Sequence, residues 1–195
     1  MAGRPTLVQG KRQLLFSGMG RLTESSVIWF KNASFSLTAE VTVPEEGAEG
    51  VIVAQGGVSG GLSLYAKDGK PKYCYNFFGL ERYYVQGTQP IPSGTHQVRL
   101  EFAYDGGGLG KGGTATIYLD GDAVGEGRID QTEALYFSAD ETFDLGNEYG
   151  SPVTTDYGRR KFSGKVNWVE IDVGLDDHNH LIRPEDRLNL AMAFQ

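Results

Sequence analysis

Glu170-Ile171-Asp172 is the grouping in this sequence that comes nearest to catalytic chemistry. It lies in the alternating run Lys161 to Val173, KFSGKVNWVEIDV. Residues two apart on a strand point to one face, so the two carboxylates share a surface. A retaining glycoside hydrolase sets a nucleophile and a general acid about 5–5.5 Å apart. The positions where a strand-borne general acid would follow are held by Gly174 and Leu175, so the second working carboxyl is missing locally. An exposed strand face is the better account, and a glycosidase using Glu170 and Asp172 stays a remote alternative.

Other reactive side chains give less. Asp176, Asp177, His178 and His180 have metal-ligating chemistry, but near neighbours in a polar connector converge on one ion only with help from elsewhere. His96 opens a strand and has no evident Ser or Cys partner. Cys74 is the single cysteine, which excludes an internal disulfide and a Cys-rich metal centre. Gly108 to Gly113 satisfies GxGxxG on paper, but that motif binds a dinucleotide only where a strand feeds a helix, and here a strand follows. The phosphate-loop pattern fails because Asp105 replaces its first glycine and Gly112 follows Lys111. These readings assign no catalytic residue, no metal and no cofactor to this chain.

Binding chemistry is better represented. Tyr73 to Tyr84, YCYNFFGLERYY, is the densest aromatic stretch, and its rings can stack on sugar faces while Asn76, Glu81 and Arg82 bond hydroxyls. The adjacent Trp29-Phe30 pair needs burial, against its own sheet or a partner. Trp29, Phe30, Asn76, Phe78, Glu81, Arg82 and Tyr83 are therefore the candidate binding or docking surface.

The elements that must position these residues are strands. Val98, Leu100, Phe102 and Tyr104 alternate with Gln97, Arg99, Glu101 and Ala103. Six glycines follow between Asp105 and Gly113, then β-branched and aromatic residues resume to Leu119. Asp68-Gly69 and Asp120-Gly121 are two-residue hairpin signals. Ser34 to Val43 is the clearest alternating strand, and Gly50–Gln55, Gly61–Lys67, Lys70–Asn76 and Glu81–Gln86 follow at short spacing. A bulge is expected at Gly164. About ten to twelve strands describe an all-β antiparallel jelly-roll or concanavalin-like sandwich. Pro184, Leu188, Leu190, Met192 and Ala193 predict a short C-terminal helix. The expected organisation is a lead-in segment over 1–22, a sandwich over 23–174, and a connector with the helix over 175–195.

A net charge of −7 and a pI near 5.0 argue against nucleic acid. The one short basic run, Gly158-Arg159-Arg160-Lys161, reads as a solvated turn. No apolar run approaches the roughly 18 residues of a membrane span, so no membrane partner is expected. Met1 to Pro5 reads as the beginning of a cut piece rather than a leader.

Three strings carry a family resemblance: YNFFGLERY, LEFAYDGGGLGKGGTATIYLDG and ALYFSADETFDLGNEYGSPVTTDY. With the flanks RPTLVQGKRQLLFSGMGRL and HLIRPEDRLNLAMAFQ, they resemble the C-terminal domain of large bacterial arylsulfatases. The resemblance implies a concanavalin-like accessory module of a sulfuric ester hydrolase, packed on a catalytic domain of the same polypeptide and helping to shape substrate access. It also implies calcium and a formylglycine in that catalytic domain. Formylglycine arises from a [CS]xPxR motif, and Cys74 stands in YCYNFF without the required Pro and Arg, so this chain alone is not an enzyme. A bacterial cytoplasmic location is expected ahead of a periplasmic one. The alternative is a carbohydrate-binding module with a glycan as partner.

Overall fold

The computed structural model describes residues 8–174 and 180–184. Among the described residues twelve strands run in chain order: β1 (Arg12–Phe16), β2 (Leu22–Thr23), β3 (Phe35–Val43), β4 (Gly50–Gly57), β5 (Gly60–Lys67), β6 (Lys70–Phe77), β7 (Glu81–Gln86), β8 (Gly94–Tyr104), β9 (Lys111–Leu119), β10 (Asp122–Gln131), β11 (Thr142–Leu145) and β12 (Lys165–Val173). They form two six-stranded sheets, ordered β1-β12-β3-β8-β9-β10 in front and β2-β11-β4-β5-β6-β7 behind. All the strand pairings are antiparallel, so the molecule is a two-sheet sandwich of jelly-roll or concanavalin-like topology.

Alternation builds the core. Leu37, Ala39 and Val41 of β3 lie beside Leu100 and Val98 of β8 and face Leu62, Leu64 and Tyr73 of the back sheet in one apolar cluster. Asp68-Gly69 and Asp120-Gly121 close their hairpins with both residues at positive φ, the backbone that matches strand twist. β1 occupies the front edge by pairing with β12, inside the segment read as a lead-in. The bulge of β12 falls between Val166 and Trp168 rather than at Gly164. Gly164 instead admits the Thr42 carbonyl, which a Cβ there would meet at 2.1 Å. The predicted C-terminal helix falls on residues outside those described.

The back sheet is covered on both sides, so the strands β4 to β6 are buried on both faces. Its outer face carries Val51, Ala54, Tyr65 and Cys74, which pack with Val153 and Tyr157 of the loop after β11. A buried carboxylate shapes that loop: Glu148 accepts the Val153 N–H at 2.9 Å and the Tyr157 hydroxyl. Asp156 ties the loop down by accepting from Tyr65 (2.6 Å), Lys67 (2.9 Å) and Lys72 (2.7 Å).

Candidate functional site

The aromatic stretch does not make one surface. Strand alternation sends Tyr73 and Tyr75 inward, while Asn76 is buried and donates to the Gly57 and Val58 carbonyls. Arg82 turns to the outer face of the back sheet and donates to the Val153 carbonyl at 3.1 Å. Tyr83 packs at the core margin and donates to Glu81 at 2.8 Å. Phe78 protrudes at the β6–β7 tip, where Glu81 is exposed as well, and its left-handed backbone is held by Glu133, which accepts its N–H at 3.0 Å. Phe30 is a core residue against Phe35, and Trp29 lies edge-on to Tyr136. The seven predicted residues are thus dispersed, and two of them, Phe30 and Asn76, are buried where no ligand could touch them without unfolding the site.

The end of the sandwich near Phe78 holds a buried charged group. Lys31 ion-pairs with Glu24 and sits 3.7 Å above the Phe137 ring. Burial draws its ammonium down to about 7, against the pull of Glu133, and pushes the Glu133 carboxyl up to about 7. The cavity they line, about 20 Å³, has room for a single water.

The front carboxylates are engaged structurally. Asp172 accepts from Arg12 Nε at 2.6 Å, and Glu170 is buried. Both are buried, so the strand face expected to be exposed is covered. Arg99, also buried, donates to Glu101 and Thr38. His180 stacks on Tyr118 at 4.1 Å and bonds Glu101. Asp176, Asp177 and His178 lie outside the described residues. His96 is held between Asp120 and the Ser93 carbonyl. Among the described residues, no three His, Cys, Asp or Glu side chains gather as a metal site.

An open cleft of about 290 Å³ lies where the β1–β2 loop, the end of β11 and the approach to β12 meet. Phe162 and Val166 supply apolar lining, with Ser17, Asn147, Tyr149, Lys161 and Lys165 around them. Tyr149 is 49% exposed, and the Arg21 guanidinium lies 5.0 Å from its ring centre. Gly20 lets that ring lie close, since a Cβ there would stand 3.1 Å from it.

Buried bonds hold this cleft. Asp144, 2% exposed, accepts the N–H of Arg21 (2.8 Å), the N–H of Tyr149 (3.0 Å) and the Thr142 hydroxyl. One carboxylate therefore fastens two of the three walls. The third is fixed through Phe162, whose N–H reaches the Gly146 carbonyl at 3.0 Å, and through Val51, whose N–H reaches the Arg160 carbonyl at 3.2 Å. Gly50, at φ +96°, makes that approach feasible: a Cβ would lie 2.3 Å from the Lys161 carbonyl oxygen. Sequence reasoning missed this site because its parts are far apart in the chain. Its one local signal was the basic run ending at Lys161.

No family model matches the chain, and no curated protein matches it either. Solved structures share its fold. The CBM40 of the Ruminococcus gnavus IT-sialidase is 11% identical over 94% of this chain and 97% of that one, with a TM-score of 0.52. Domains LG4-5 of the mouse laminin α1 chain are 14% identical over 89% of this chain and 42% of that one, TM-score 0.51. Domain 4 of AbnA, a GH43 extracellular arabinanase from Geobacillus stearothermophilus solved in complex with arabinotriose, is 16% identical over 84% of this chain and 68% of that one, TM-score 0.50. The shared property is the sandwich.

The arylsulfatase expectation is corrected by these comparisons. The strings that carried the resemblance form the β6–β7 and β8–β9 hairpins and the loop around β11. The implied hydrolase identity loses its basis, and calcium, formylglycine and a catalytic-domain partner lose theirs with it. The chain itself contains no [CS]xPxR sequence.

Proposed function

We propose that this chain is a non-catalytic carbohydrate-binding module that takes its ligand in the cleft at Tyr149. The observation that carries the reading is the cleft's make-up. A half-exposed aromatic ring, a side-chain amide at Asn147 and amines at Lys161 and Lys165 surround an apolar patch on a hydrogen-bonded frame. Sugar rings present apolar C–H faces and hydroxyl edges, which such a mixture accommodates. The volume suits roughly one or two sugar residues, being near the lower bound of small-ligand pockets. Preformed walls reduce the ordering cost of binding. The names of two fold neighbours, a sialidase CBM40 and an arabinanase domain holding arabinotriose, agree with sugar binding on this scaffold.

The test is a glycan array probed with the wild-type chain and with Tyr149→Ala. Binding to a defined set of glycans, weakened at least tenfold by the substitution, is the expected result. A silent array, or binding that Tyr149→Ala leaves intact, overturns the assignment to this cleft.

A further inference from the structure

We infer that the ligand of this cleft is an acidic glycan, bearing carboxylate or sulfate groups. The inference rests on the carbohydrate-binding reading and specifies its ligand. The chain carries a net charge of −7, yet its one basic run delivers Lys161 to the rim, and Lys165 follows four residues later. Both lysines are exposed, and among the described residues neither is paired with a carboxylate. Arg21 lies against the Tyr149 ring, and Arg160 is held beside the same loop by its bond to the Gly150 carbonyl at 2.8 Å. Among the described residues, the side chains lining the cleft include no Asp or Glu.

The acids of this region are turned to other work. Asp144 and Glu148 are buried and spend their oxygens on Arg21, Tyr149, Val153 and Tyr157. A surface that is acidic on balance thus concentrates unpaired ammonium groups at its open cleft. Such groups are strongly hydrated point charges that bind an oxyanion by charge-assisted hydrogen bonds. A neutral sugar would leave them with nothing to neutralise. A nucleic acid would need a longer basic track than one cleft and would meet repulsion from the rest of the chain.

The experiment compares the full chain on matched glycans: polygalacturonate and its methyl ester, dextran sulfate and dextran. A duplex DNA oligonucleotide serves as a polyanion that is not a glycan, its charges being backbone phosphodiesters. At least tenfold preference for an acidic member over its neutral counterpart is expected, with affinity falling as salt rises from about 50 to 300 mM. Lys161→Met and Lys165→Met should each weaken that binding about tenfold without lowering the melting temperature. The carboxylate and sulfate arms identify which anion is read. Equal binding of charged and uncharged partners would overturn this inference and leave carbohydrate binding standing. Equal binding of the DNA would reduce the cleft to a general polyanion surface and overturn it. No binding to any glycan would remove both readings.

Discussion

Replacing Glu133 with Gln should flatten the pH dependence of stability between about 4.5 and 7. Glu133 is 1% exposed; one oxygen accepts the Phe78 N–H at 3.0 Å and the other has no hydrogen-bond partner among the described residues. Burial pushes its carboxyl from 4.5 up to about 7, outweighing the opposite pulls of that N–H and of Lys31. A carboxyl raised in this way binds its proton more tightly in the folded chain. Its stabilising contribution is complete below about 4.5 and is lost as the pH rises through about 7. At roughly 1.4 kcal/mol per pH unit, that interval corresponds to about 3 kcal/mol. For a chain of this length the melting temperature moves roughly 2–4 °C per kcal/mol, hence roughly 6–12 °C in all. Lys31 is drawn down only to about 7, so it stays charged through most of the window and contributes above it. Glu148 is raised in the same direction but titrates in both proteins, so it cancels from the difference between them. Gln keeps an acceptor for the Phe78 N–H. Calorimetry from pH 4.5 to 8 should show the wild type losing that much more melting temperature than the variant. Parallel profiles would refute the reasoning.

Asp156 works in the opposite sense. Burial pulls its carboxyl up, but Lys67, Lys72 and Tyr65 together hold it well below the usual range, so its contribution is present above about 3.8 and lost as the pH falls. Asp156→Asn should cost about 1–3 kcal/mol at pH 7 and blunt acid unfolding, as urea titrations at pH 3 and 7 would report. Asp144→Ala should leave the Arg21 and Tyr149 N–H groups without their acceptor, at about 1–3 kcal/mol each; hydrogen exchange at those two amides should accelerate, and unchanged protection would contradict the role given to Asp144. Cys74 is fully buried and its thiol is pushed up to about 12 by burial, so iodoacetamide at pH 8 should label it only after denaturant is added. Rapid labelling of the native protein would speak against the packing of the back sheet's outer face.

What could be read in advance was local. Asp68-Gly69 and Asp120-Gly121 need only their own backbones to close a hairpin, and the alternation of Phe35 to Val43 needs only a period of two. Pairing between distant segments was not legible. β1 meets β12 across about 160 residues, and β2 is a two-residue strand with no pattern to detect. The site suffered most from this. Alternation already implied that part of the aromatic stretch faces the core, as Tyr73 and Tyr75 do, but not that Asn76 is buried, Arg82 turned to the outer face and Phe78 left at the tip. The cleft that replaces it joins residues 17–21, 145–149 and 161–166, which are brought together by Asp144 and by the missing Cβ of Gly50. The run Arg159-Arg160-Lys161 was visible, but a solvated turn and a basic rim look alike until the surrounding walls are known.

Chemical-shift mapping with a glycan selected on the array would locate the bound sugar residue by residue. Titration into the labelled chain should give saturable shifts at Ser17 to Arg21, Asn147 to Tyr149 and Lys161 to Val166, with little change elsewhere. Shifts centred instead on Phe78, Glu81 and Tyr83 at the β6–β7 tip would contradict binding in the cleft at Tyr149.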